Sequence, residues 1–144
     1  MKYFFAYGIH LDDGKLTSIC PNIKKIGKGI LNNYELEFRV YLNVNKKEGS
    51  KVMVGIYEIN EKDEKILDRY KGYPAQYKKE AVNVNFNGKI LEGFIYILNY
   101  PRRIESPNKR YLDKCKKAYE ASNINDEELK KAYFKSKSYE SWAW

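Results

Sequence analysis

The chain is read first as alternating stretches of apolar and polar side chains. Residues Lys2–Tyr7 are rich in aromatics and end at Gly8, which predicts a buried strand followed by a sharp turn and then a loop. From Tyr34 to Val44 the even positions Leu36, Phe38, Val40, Leu42 and Val44 are apolar, whereas Glu35, Glu37, Arg39 and Asn43 are polar. That period of two predicts one half-buried strand. Lys51–Ile59 is apolar on both faces with a single glycine, as expected of a central strand.

Asn60 is then placed to cap a short helix. Asp63 falls in its first turn, Ile66, Leu67 and Tyr70 follow at helical spacing, and Gly72 and Pro74 end it. Val82, Val84 and Phe86 alternate with Asn83 and Asn85, and Asn87-Gly88 supplies a hairpin turn into the apolar run Leu91–Leu98. Beyond a loop from Asn99 to Asn108, the residues Tyr111, Leu112, Cys115, Ala118 and Tyr119 mark one helix. Asn125 with Glu128 three residues later reads as a capping box for a second helix through Phe134. The tail from Ser136 is polar apart from Tyr139, Trp142 and Trp144, and is read as either a loose end or an aromatic clasp. The predicted fold class is α+β, a small mixed barrel or sheet with a few short helices. One domain is expected over residues 1–135, with 136–144 as its tail.

Composition agrees with a packed domain. Apolar residues make up 43% of the 144 positions and aromatics 15%, with 14 tyrosines available to line a pocket. The formal charge of +8 raises the question of an anionic partner. Its cations are scattered in doublets such as Lys24-Lys25, Lys78-Lys79 and Arg102-Arg103, so a solvated basic surface is expected rather than a nucleic-acid face. Cys20 and Cys115 lack paired spacing and His10 is the only histidine, so no metal site is expected. The apolar start spans only a few residues, less than a signal sequence or a membrane span needs, which predicts a cytoplasmic protein without membrane attachment.

Several motifs occur together in a telling order. Phe5-Ala6-Tyr7-Gly8-Ile9-His10-Leu11 is followed by Cys20-Pro21 and by Ile26-Gly27-Lys28-Gly29-Ile30-Leu31 running into Tyr34-Glu35-Leu36-Glu37-Phe38. Then come Val54-Gly55-Ile56-Tyr57-Glu58-Ile59, Leu67-Asp68-Arg69-Tyr70-Lys71-Gly72 with Tyr77, and Ser106-Pro107 before Tyr111. In this order and spacing they resemble the γ-glutamylcyclotransferase-like, or AIG2-like, family along nearly the whole chain. The resemblance implies cyclisation of a γ-glutamyl group: its α-amine attacks its own γ-carbonyl, giving 5-oxoproline and releasing the attached amine. No cofactor is implied. It further implies one glutamate acting as general base and then acid, and a loop corresponding to Tyr7–Leu11 that holds substrate and oxyanion.

Two departures bear on that chemistry. Where the resemblance places the catalytic glutamate, this chain has Lys71. An ammonium there would face the substrate's own α-ammonium, and like charges about 4 Å apart repel by about 4 kcal/mol at an effective dielectric of about 20. Lys71 could serve as a base only if burial lowered its pKa, and Asp68, Glu58 and Glu80 are alternative carboxylates near the same region. In the loop, Ile9 and His10 replace the family's serine and asparagine, and His10 is a candidate donor, or base near neutral pH. Tyr7, Gly8, Ile9, His10, Leu11, Tyr77 and Tyr111 are the candidate ligand-binding residues. Two functions stay open: a γ-glutamylcyclotransferase-like enzyme with altered chemistry, or a non-catalytic protein whose basic pocket holds an anionic metabolite or nucleotide.

Overall fold

A computed structural model of the chain describes residues 2–99 and 103–142, with the backbone alone at 140–142. Five strands among these residues, β1 (Lys2–Ala6), β2 (Lys24–Arg39), β3 (Tyr41–Ile59), β4 (Tyr77–Phe86) and β5 (Lys89–Leu98), close a barrel in the order β1-β3-β2-β4-β5. Four helices, α1 (Asp13–Ile19), α2 (Glu61–Lys71), α3 (Lys109–Ala121) and α4 (Glu127–Trp142), lie around it, and a 3-10 turn spans Gly8–Leu11. The expected α+β barrel is the fold observed. No described helix is long and apolar enough to cross a membrane.

Long β2–β3 and β4–β5 hairpins supply most of the ladder, while two brief contacts close the barrel. These are the parallel pair Phe4↔Phe94 between β1 and β5, and Ile30↔Asn85 between β2 and β4. A glycine stands at each seam. A Cβ on Gly93 would come within 2.5 Å of the Tyr3 carbonyl, and one on Gly29 within 2.9 Å of the Asn85 carbonyl. The bare backbone is what allows the strands to meet there. Inside, Phe4, Phe5, Val54, Ile56, Tyr57 and Ile95 form a core from which water is almost fully excluded.

The predicted single strand over Tyr34–Val44 is in fact a hairpin. The chain turns at Val40, whose φ of 70° is unusual for a β-branched residue, and pairs Phe38 with Leu42 and Leu36 with Val44. A turn centred on one residue preserves even and odd faces on both arms, so the alternation passes through it unbroken. Backbone bonds fix the turn from outside: the Val40 amide donates to the Glu105 carbonyl and the Glu105 amide to that of Phe38, both at 3.0 Å.

The loop expected after Gly8 contains α1, capped by Asp12, whose carboxylate accepts from the amides of Gly14 and Lys15. Helix α2 starts as predicted, with the Asn60 side chain accepting from the Asp63 amide at 2.7 Å. It stops at Gly72, which is left-handed at φ 67° and returns its amide to the Asp68 and Arg69 carbonyls. Asn87-Gly88 makes the expected turn between β4 and β5, with φ of 51° and 82°. At α4 the Asn125 side chain bonds the Glu127 amide rather than that of Glu128, and the helix runs past Phe134 to Trp142. It lies against β2, where Leu129, Ala132 and Ser136 are buried and Lys135 pairs with Glu35 at 3.0 Å. Ser136, expected in a tail, is therefore helical and interior, and Tyr139 is exposed. The proposed clasp through Trp142 and Trp144, and Arg102 of the basic doublets, lie outside the described side chains.

Candidate active site in the barrel mouth

Six parts of the fold meet at one end of the barrel: the turn after β1, α1, the end of α2, the start of β4, the β2–β3 turn and the first part of α3. Between them is a cavity of about 290 Å³. Of the residues singled out in the sequence, Tyr7, Ile9, His10, Lys71, Tyr77 and Tyr111 all line it. Leu11 does not; it is 1% exposed and belongs to the core, and Gly8 is buried without lining the cavity. The neighbouring wall residues Lys15, Tyr41, Leu42, Tyr70, Gln76 and Lys114 were not among the site residues expected from the sequence. Lys114 lies three residues after Tyr111 on α3, a spacing that places both on one helix face. A larger open groove of about 950 Å³ runs between the two long hairpins, and the buried titratable group on its wall, Tyr34, already has its hydroxyl bonded to Glu80.

Lys71 is the last residue of α2, so the end of that helix delivers it to the cavity. Its Nζ stands 4.0 Å from the centre of the Tyr77 ring and 5.8 Å from that of Tyr96. The ring faces attract the ammonium, but they do so less than the water it has left. Burial lowers its pKa from 10.5 to about 8, and among the described residues no carboxylate lines the cavity to restore it.

None of the alternative carboxylates lines the cavity. Asp68 accepts from the Tyr96 hydroxyl at 2.6 Å and from Lys79 Nζ at 2.9 Å. Glu80 accepts from Tyr34 at 2.6 Å, and Glu58 is on β3 opposite Tyr3 and Lys24. Helical spacing left Asp68 off the cavity wall, at the Tyr96 hydroxyl.

His10 is 3% exposed, and neither ring nitrogen has a hydrogen-bond partner among the described residues. Burial first, then the charges of Lys71 and Lys15, push its pKa down to about 3. This corrects the expectation of a base titrating near neutral pH: His10 is a neutral imidazole with one donor and one acceptor free. A very small space of about 10 Å³ behind the cavity touches His10, Lys71, Tyr7 and Tyr96.

The tyrosines are neutral phenols. Tyr7 donates to the Tyr96 carbonyl at 2.5 Å, and burial holds its pKa well above 10. Tyr111 accepts from the Leu42 amide at 3.1 Å and is likewise raised by burial. That contact ties α3 to the strained Val40 turn, which is how Tyr41 and Leu42 reach the cavity. Tyr77 is pushed up to about 12, mainly by burial. No cluster of three His, Cys, Asp or Glu side chains able to hold a metal occurs among the described residues.

The sequence profile of a family described as gamma-glutamyl cyclotransferase, AIG2-like, matches residues 4–120. The chain belongs to the AIG2-like gamma-glutamyl cyclotransferase family. A Methanocaldococcus jannaschii protein, provisionally named a gamma-glutamylcyclotransferase, is 29% identical over 108 residues, covering 70% of this chain and 86% of that protein. Among solved structures of the fold, one titled gamma-glutamyl cyclotransferase superposes with a TM-score of 0.79 at 17% identity, covering 91% of this chain and 85% of the other. The human protein loc79017 gives 0.76 at 18% identity over the same shares. At those identities the structures establish the AIG2-like fold; the chemistry has to be argued from this chain's own cavity.

Proposed function

We propose that this γ-glutamylcyclotransferase-like chain uses its barrel-mouth cavity to bind a small anionic molecule, and that the family's cyclisation reaction is lost. One observation carries the reading: among the described residues the wall holds three lysines, Lys15, Lys71 and Lys114, and no carboxylate. Cyclisation of a γ-glutamyl group needs a proton acceptor beside the attacking amine. By family resemblance that acceptor stands at the position of Lys71, which brings a cation instead. The volume of about 290 Å³ suits a ligand of a few heavy atoms. Neutral His10 and the phenols of Tyr77 and Tyr111 supply hydrogen bonds without adding negative charge.

The test is 5-oxoproline release from γ-glutamyl amino acids and γ-glutamyl amines. Wild-type protein gives none above a Lys71→Ala control, whereas Lys71→Glu, which restores the implied acceptor, gains measurable release. Turnover by the wild type that disappears in Lys71→Ala would overturn the reading.

That result would favour a second reading, in which Lys71 is itself the base. Its support is the burial that leaves the amine titrating near pH 8. Release by this route rises with pH through about 8 as the amine loses its proton.

A further inference from the structure

Two features of the cavity fit more than simple anion binding. One is an amine, Lys71 Nζ, set against two aromatic faces with no carboxylate on the cavity wall among the described residues to hold it as an ammonium. The other is His10, fully inside the protein with both ring nitrogens unpartnered among the described residues. Both side chains line the main cavity and the small space behind it, so a molecule entering the mouth meets the two together.

We infer that Lys71 is a carbonyl-trapping amine, which forms a reversible imine with a small aldehyde or 2-oxo acid whose carboxylate is held by Lys15 and Lys114. The inference rests on the anionic-pocket reading for the carboxylate half of that ligand.

The step balances without a further reactant. The neutral Lys71 amine adds to the carbonyl carbon, and a carbinolamine forms with the former carbonyl oxygen as its hydroxyl. That oxygen leaves as water, carrying both amine protons, and a C=N bond replaces C=O. His10 suits the intermediate. A neutral imidazole presents one N–H donor and one acceptor, the pair needed by a hydroxyl or by the water it becomes. The family's glutamate would oppose this chemistry, because a carboxylate beside the amine holds it as an unreactive ammonium.

Reactivity should be selective. An amine that deprotonates near pH 8 instead of 10.5 presents about 300 times more neutral nucleophile at neutral pH. Its lower basicity makes each neutral amine less nucleophilic, and exposed lysines such as Lys114 compete through easier access. Even so, Lys71 should be modified at least about tenfold more than any other lysine.

The test is reductive trapping on the intact chain. Protein is incubated with glyoxylate and sodium cyanoborohydride at neutral pH, and the adduct is located by peptide mass mapping. The expected result is one carboxymethyl adduct, at Lys71, suppressed by inorganic phosphate and lost in Lys71→Arg. Adducts spread over surface lysines with Lys71 unmodified would overturn the inference. The mapping is made on wild-type protein, so a poorly folding variant does not affect the outcome. Failure here is separable from failure of the anion reading. If phosphate raises the melting temperature but glyoxylate leaves Lys71 unmodified, only the imine falls. If Lys71 traps the uncharged aldehyde propanal as efficiently as glyoxylate and phosphate gives no protection, the imine stands and the carboxylate site falls.

Discussion

Replacing Lys71 by methionine keeps a long flexible chain against Tyr77 and Tyr96 and removes the charge. The consequence for stability follows from the amine's titration. Its pKa is near 8 in the folded chain, against 10.5 for a lysine in water, the value that applies once the chain unfolds. A cation whose folded pKa is depressed destabilises the fold below that pKa, where it is charged in both states. As pH rises from 8 towards 10.5 the unfolded chain keeps the proton that the folded chain has lost, so stability increases. The full difference corresponds to about 3 kcal/mol, and about 2 kcal/mol of it is recovered between about pH 7 and about pH 9.5. Lys71→Met should therefore be the more stable protein at pH 7, by somewhat under about 3 kcal/mol, because the attraction to Tyr77 is lost as well. Its advantage should shrink by about 2 kcal/mol at the higher pH. Urea unfolding of both proteins at the two pH values measures this directly, since other titrations are common to both and cancel. A stability difference that does not change with pH would refute the reasoning and place the amine in water.

Two further changes probe the frame around the site. Asp68→Asn leaves Lys79 with one fewer carboxylate and weakens the bond from Tyr96, so it should destabilise by about 1–3 kcal/mol in urea unfolding without abolishing ligand binding. Gly93→Ala pushes a methyl group to within 2.5 Å of the Tyr3 carbonyl at the β1–β5 seam, and should cost at least about 1–3 kcal/mol, seen as a lower melting temperature.

Much of the fold was legible in the sequence because its signals were local. Asn60 and Gly72 bound α2 through their own side chain and backbone, and Asn87-Gly88 needs only its left-handed φ values to make a turn. The β2–β3 turn was not legible, since Val40 carries no turn chemistry and is fixed by Glu105, distant in sequence. Helix α4 ran on where polarity suggested a tail, because Ser136 is buried through bonds to the Tyr133 carbonyl and to Ser106. The cavity divides in the same way. Motif order brought Tyr7, His10, Lys71, Tyr77 and Tyr111 to attention, whereas Lys15 and Lys114 come from helices whose place at the mouth depends on tertiary packing. Nor does spacing reveal that Asp68 and Lys71, three residues apart, meet different parts of Tyr96, its hydroxyl and its ring.

The central claim is that charge in the cavity now favours an anion over a γ-glutamyl ammonium. Calorimetric titration with inorganic phosphate, malonate and a γ-glutamyl amine tests it most directly. The predicted result is saturable one-to-one binding of at least one of the two anions, weakened at least about tenfold in Lys71→Met, and no detectable binding of the γ-glutamyl amine. Binding of the γ-glutamyl amine with neither anion bound would contradict it.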